Sequence, residues 1–228
     1  VGDYYKAFMD SVARNKAGIT PIQAELDLVK NMTSKEEISK VILDQHLNGI
    51  GSIFGLGVGQ DMMDVKTHTV YASQGGLGLS KDYYFKEIHA DVKVKYEAHI
   101  ARMLEMIGEE NAADQAKSIV AFEESLASKQ MDRTTMRDPA VTYNKRSLAT
   151  LKGMFPSFDM DSYLAGHHYA AFDSIVVGQV AYFPHVESMM KSKSLEEWKS
   201  YLLWKALDHY AGMLSDETML NNTNRLIP

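Results

Sequence analysis

The sequence predicts a mainly α fold: a multi-helix domain with one small β-hairpin near residues 53–73. Three observations carry this. Apolar residues recur every three or four positions through most long windows, which lines one face of an α-helix. Helix start and stop signals sit at the ends of those windows: Ser34 with Glu37, Ser194 with Glu197, Gly18 and Gly108. Period-two alternation occurs in one stretch only, Phe54-Gly55-Leu56-Gly57-Val58-Gly59, and the partly β-branched His68-Thr69-Val70-Tyr71 follows it.

From the N-terminus, Asp3 to Ala17 reads as one helix with Tyr5, Phe8, Met9 and Val12 on a shared face, ended by Gly18. Pro21 suits the first turn of the next helix, where its missing N–H is unneeded, and Ile22, Leu26 and Val29 line the inner face. Ser34 and Glu37 have capping-box spacing, Ile38, Val41 and Ile42 form the stripe behind them, and Asn48-Gly49 closes that helix. The two strands come next, with their loop at Asp61 to Lys66. The longest helix is expected from about Asp82, with Phe85, Ile88, Val92, Tyr96, Ile100, Met103 and Ile107 on one face and Gly108 as its cap. A helix from about Asn111 to Ser128 turns Ala116, Ile119, Val120 and Leu126 inward, and Asp138-Pro139 breaks the chain. Asn144 is the expected N-cap of a short helix through Leu148 and Leu151 that Phe155-Pro156 stops. Asp161 to Ala165 makes another short turn, and Tyr182 to Met190 a helix with Pro184 in its first turn. Behind Ser194 and Glu197, a last helix carries Trp198, Leu202, Ala206, Tyr210 and Met213 inward.

Composition bounds the function. A chain of 228 residues buries a sizeable core, and 45% apolar with 24% charged residues is ordinary for a globular protein. The net charge of −6 and the lack of a basic run argue against a nucleic-acid surface. No window reaches the ~18 uninterrupted apolar residues of a membrane helix. With no cysteine, disulfides and thiolate metal sites are excluded. The chain starts at Val1 with no signal peptide, and both ends read as truncated.

The densest motif is Gln74-Gly75-Gly76-Leu77-Gly78-Leu79-Ser80-Lys81-Asp82-Tyr83-Tyr84. Three glycines in four positions mark a tightly bent or closely approached path, while Leu77 and Leu79 keep it docked on a core. This block resembles one in the neprilysin family of zinc metalloendopeptidases, where a Gln-Gly-Gly-Leu-x-Leu turn precedes an acidic residue and a Tyr-Tyr pair. Other blocks follow the family order: Gly49-Ile50-Gly51-Ser52-Ile53-Phe54 with Asp61, then Arg137-Asp138-Pro139, Tyr143-Asn144, Leu148, Leu151, Val176-Val177-Gly178-Gln179, and Leu195-Glu196-Glu197-Trp198-Lys199-Ser200-Tyr201-Leu202. The resemblance covers nearly the whole chain and implies the N-terminal, non-catalytic helical region, residues 1–228 as one domain. Animal members of the family carry disulfides, so the cysteine-free chain is more similar to bacterial ones.

No residue stands out as catalytic, cofactor-binding or metal-ligating. Two histidines four apart on a helix can share one zinc, with an intervening Glu polarising a water. None of the eight histidines (46, 68, 89, 99, 167, 168, 185, 209) has a partner at that spacing or a Glu directly after it. His167-His168, with Asp159 and Asp161 upstream, is the nearest approach, but adjacent side chains diverge on a helix by about 100°. Gly55-x-Gly57-x-Gly59 lacks the spacing and βαβ setting of a phosphate loop; it reads as a strand that bends or that another backbone approaches. The pairs Glu109-Glu110 and Glu123-Glu124 read as solvated helix residues, except that Glu123 falls on an inward stripe and is expected to meet a buried arginine, Arg133 or Arg137. The 14 methionines read as core filling.

By resemblance, then, the chain is one lobe of a secreted or envelope endopeptidase. It would wall a chamber that admits oligopeptides and excludes folded proteins. The zinc would sit in a catalytic domain of the same parent, and this chain alone would be inactive. Its location would be extracytoplasmic, in a bacterial periplasm or cell envelope. The alternatives are a stand-alone peptide- or protein-binding module and an unrelated helical enzyme.

Overall fold

The four strands among the described residues belong to one mixed sheet, and helices occur along the length of the chain. In the computed structural model, which describes residues 2–223, strands β1 (Phe54–Gln60), β2 (His68–Gln74), β3 (Lys145–Ser147) and β4 (Ser174–Val177) lie in the order β1-β2-β4-β3. The predicted hairpin is β1 and β2, antiparallel and in continuous register from Phe54↔Gln74 to Gln60↔His68. β2 pairs parallel with β4 through Val70↔Ile175 to Ala72↔Val177, and β4 antiparallel with β3. The mainly α class is borne out. The sheet is larger than the hairpin that the sequence announced.

The chain divides into two compact units. The first combines Val1–Met32, Asp82–Ala121 and Glu196–Pro228. Its core holds Leu26, Val29, Tyr96, Ile100, Met103, Ile119, Trp198, Leu202 and Trp204, all under 5% exposed, and the Trp204 indole N–H donates to the Tyr96 hydroxyl at 2.9 Å. The helix Ala90–Met106 ends as its glycine requires. Gly108 has φ 82°, its N–H bonds the Glu105 carbonyl, and the Glu109 N–H bonds that of Leu104. This closes a Schellman motif.

Three expectations change in this unit. The helix at the N-terminus is two, Gly2–Met9 and Ser11–Ala17, because Asp10 leaves the helical region and caps the second through the Ala13 N–H. The helix from Asp82 is interrupted after Phe85: Lys86 is extended (ψ 123°), a 3-10 turn Glu87–His89 follows, and Phe85 and Ile88 are exposed rather than inward. Ala112–Lys129, with 18 residues, is therefore longer than Ala90–Met106, with 17. Met213 lies beyond the helix Leu195–Tyr210 and is exposed.

The second unit combines Thr33–Lys81 and Phe122–Leu195. The capping box forms, with Glu37 accepting the Ser34 N–H at 3.2 Å, and Ile38, Val41 and Ile42 of the helix Ile38–Leu47 are buried. Around Phe54 the rings of Phe155, Phe158, Tyr163 and Phe183 gather at centroid distances of 5.1–6.4 Å, in edge-on or tilted contacts that suit ring quadrupoles. Asn144 is not the cap of the helix Leu148–Met154. Ser147 is, accepting the Thr150 N–H at 3.1 Å. Residues 145–147 are strand instead, and the Asn144 carbonyl takes the Val177 N–H.

Candidate functional site

The glycine-rich turn after β2 is clamped from several directions within the second unit. The Gln74 side chain behaves as a peptide bond: its Nε2 donates to the Met131 carbonyl at 2.8 Å and its Oε1 accepts the Met131 N–H at 2.7 Å. Its main-chain N–H is taken by Gln179 at 2.8 Å. Gly75 offers its carbonyl to Gln130 (2.7 Å) and Tyr182 (3.1 Å), and a Cβ on Gly75 would meet the Ser52 carbonyl oxygen at 2.8 Å. Gly76 has φ 89°. The Gly78 N–H donates to Glu123, which is fully buried on the helix Ala112–Lys129, and Lys81 reaches the Gln130 carbonyl. Glu123 thus caps a backbone turn. The expected buried arginine is not its partner, since Arg133 and Arg137 are both exposed.

Two further polar groupings flank the hairpin. Asp61, 1% exposed at the end of β1, accepts hydrogen bonds from Lys145 Nζ (2.7 Å), the Tyr143 hydroxyl (2.7 Å) and the Met63 N–H (2.9 Å). These donors, Lys145 foremost, hold its carboxyl well below the usual range, and the hydrogen bond to Asp61 pushes the Tyr143 hydroxyl up. This is a lock between the hairpin loop and β3. At the other end of β1, His46 Nε2 receives the Ser52 main-chain N–H at 3.3 Å and lies 2.9 Å from the Ser52 hydroxyl, while Nδ1 lies 2.6 Å from the Tyr163 hydroxyl. An acceptor Nε2 makes Nδ1 the protonated nitrogen, so the ring donates to Tyr163. Burial, helped by the neighbouring His167, lowers the His46 pKa to about 4 and keeps it neutral. His46, Ile50, Phe54, Leu56, Tyr163 and His167 wall a hollow that no charged side chain lines.

The residues singled out in the sequence do not converge. His167 ends the helix Met160–Gly166 and His168 turns away with φ 56°; Asp159 caps that helix and Asp161 pairs with Lys152. Glu109 pairs with Lys30 at 2.6 Å. Met189 and Met190 are buried, whereas Met62 and Met63 are exposed on the hairpin loop. The His46–Ser52–Tyr163 chain escaped the sequence reading because 117 residues separate its outer members and no local pattern links them. Asp61 and Tyr143 were visible only as separate family blocks. Among the described residues no three His, Cys, Asp or Glu side chains are placed to hold a metal ion, so the donor set fits no zinc. No described helix is long and apolar enough to cross a membrane.

Comparison with known proteins matches this architecture. A sequence model of peptidase family M13, for the family's N-terminal domain, aligns with residues 1–224. The chain belongs to peptidase family M13. The neprilysin-like reading of the sequence is thereby borne out. The solved structure of the zinc metalloprotease Zmp1 of Mycobacterium tuberculosis, in complex with an inhibitor, superposes with a TM-score of 0.93 at 30% identity, over 98% of this chain and 35% of that one. An endothelin-converting enzyme homolog of Locusta migratoria is 27% identical over 141 residues, 60% of this chain and 19% of the relative. A neutral endopeptidase of Lactobacillus helveticus is 21% identical over 216 residues, 93% of this chain and 33% of the relative. The chain thus spans about a third or less of these M13 relatives.

Proposed function

We propose that this chain is the non-catalytic lobe of a secreted or envelope zinc metalloendopeptidase that cleaves oligopeptides, and that it walls the substrate chamber and limits substrate size. The observation that carries the reading is the match of residues 1–224 to an M13 N-terminal domain, with a TM-score of 0.93 to a zinc metalloprotease. The similarity runs to enzymes throughout, which disfavours a stand-alone binding module. Zinc, the water-activating base and most substrate contacts would come from a catalytic domain of the same parent. We read residues 1–228 as a single domain of that parent, working outside the cytoplasm.

The physics of the role is exclusion. A rigid wall admits an extended peptide and stops a folded domain, so selectivity by size needs no chemistry from the wall itself. The test uses the full-length parent with two substrates: a short peptide, and a folded domain that carries the same sequence in a tight loop. Chelator-sensitive cleavage of the peptide alone is expected; equal rates on both would refute the role. The 228-residue chain by itself is expected to show no chelator-sensitive turnover.

A further inference from the structure

Strand β1 lies at one edge of the sheet, with β2 on its only paired side. The orientation of its main-chain groups follows from the register. The Ala72 carbonyl accepts the Gly178 N–H, and the Gln74 N–H goes to Gln179, so these residues of β2 point toward β4. Leu56 and Val58, opposite Ala72 and Val70, are therefore the non-hydrogen-bonded positions of the β1/β2 pair, and their N–H and C=O groups point outward. No hydrogen bond to them exists among the described residues. Edge strands are normally protected by lysine, proline or a bulge. Phe-Gly-Leu-Gly-Val-Gly-Gln has none of these, and its register runs unbroken.

The uncharged hollow opens beside the same strand, at Phe54 and Leu56. Its walls include the rings of His46, Tyr163 and His167, and His167 Nε2 is buried without a hydrogen-bond partner. An edge offering two outward peptide groups is complementary to another extended backbone, and a side pocket reads one residue in two along it. The lack of any lining charge selects an uncharged side chain.

We propose that the outer edge of β1 takes up an extended peptide as an added strand, with an apolar or aromatic side chain of that peptide seated in the hollow beside Phe54 and Leu56. The inference rests on the chamber-wall reading for the source of the peptide, a substrate of the parent.

The test uses this chain and a fluorescein-labelled, capped hexapeptide of alternating threonine and phenylalanine. Two N-methylated versions block either one edge of the peptide or the other. Strand addition requires one methylated set to weaken binding by about tenfold and the other to leave it nearly unchanged, since only one edge of a strand faces β1. Gly51 lines the hollow and has nothing within 4 Å of a Cβ, so Gly51→Leu is chosen to add bulk there. It should weaken the phenylalanine peptide while sparing one with alanine in its place. Equal binding of both methylated sets, or no binding at millimolar peptide, overturns the proposal. So does a dimer of this chain that Leu56→Pro dissolves and the peptide cannot displace, since the occupant would then be a second copy. These outcomes are independent of the size-selectivity assay on the parent, which can fail while the peptide binds.

Discussion

Gly75 has no room for a side chain. The Ser52 carbonyl stands 2.8 Å from where its Cβ would be, and a backbone atom cannot step aside cheaply. Gly75→Ala should cost about 1–3 kcal/mol, measured by urea unfolding, as overpacking does in a fixed core. His46 makes a different kind of demand. Its folded pKa of about 4 lies below the free value of 6.5, so between those limits the unfolded chain binds a proton that the folded chain refuses. Stability is then complete above pH 6.5 and falls as pH drops toward 4, by up to about 3 kcal/mol. His167, which faces His46 and is lowered in the same sense by burial, adds to the slope, while Tyr163 stays protonated throughout. His46→Gln should flatten this part of the stability–pH curve; an unchanged slope would show that the imidazole does not titrate there.

The helix Leu148–Met154 separates two candidate caps. Ser147→Ala removes the acceptor of the Thr150 N–H and should cost about 1 kcal/mol in chemical denaturation. Asn144→Ala keeps the main-chain carbonyl that β4 uses and should cost less. Elements with a strong local period were legible: the stripes Ile38-Val41-Ile42 and Ala116-Ile119-Val120, the capping box at Ser34, and the β1/β2 hairpin. β3 was not, because Lys145, Arg146 and Ser147 are all exposed and carry no apolar signal. β4 is a four-residue run buried by its neighbours, too short to distinguish from a buried helix turn. Interruptions of helices were missed for a related reason. Phe85 and Ile88 continue the period of the helix behind them, and only the extended Lys86 takes them off its face. The Gln74 turn was legible as a docked bend, but its clamps come from residues 45 to 107 positions away and could not be read locally.

At the scale of the whole chain, several large apolar side chains stand exposed. Tyr5, Met9 and Val12 are 58–78% exposed on the first two helices, and Val58, Met62, Met63 and Val65 are exposed on and beside the hairpin. The isolated chain is expected to self-associate with rising concentration in sedimentation velocity, and Met9→Glu with Val12→Glu should reduce this; a monodisperse monomer at every concentration would contradict it. The Gln74 clamp acts within the second unit in another way. A side-chain amide that pairs with both main-chain groups of Met131 holds that loop residue's N–H and C=O as a ladder partner would. In a deuterium-exchange map of the entire chain, the amide of Met131 should therefore stand out as a slow island amid fast-labelling neighbours, and Gln74→Ala should bring it up to their rate.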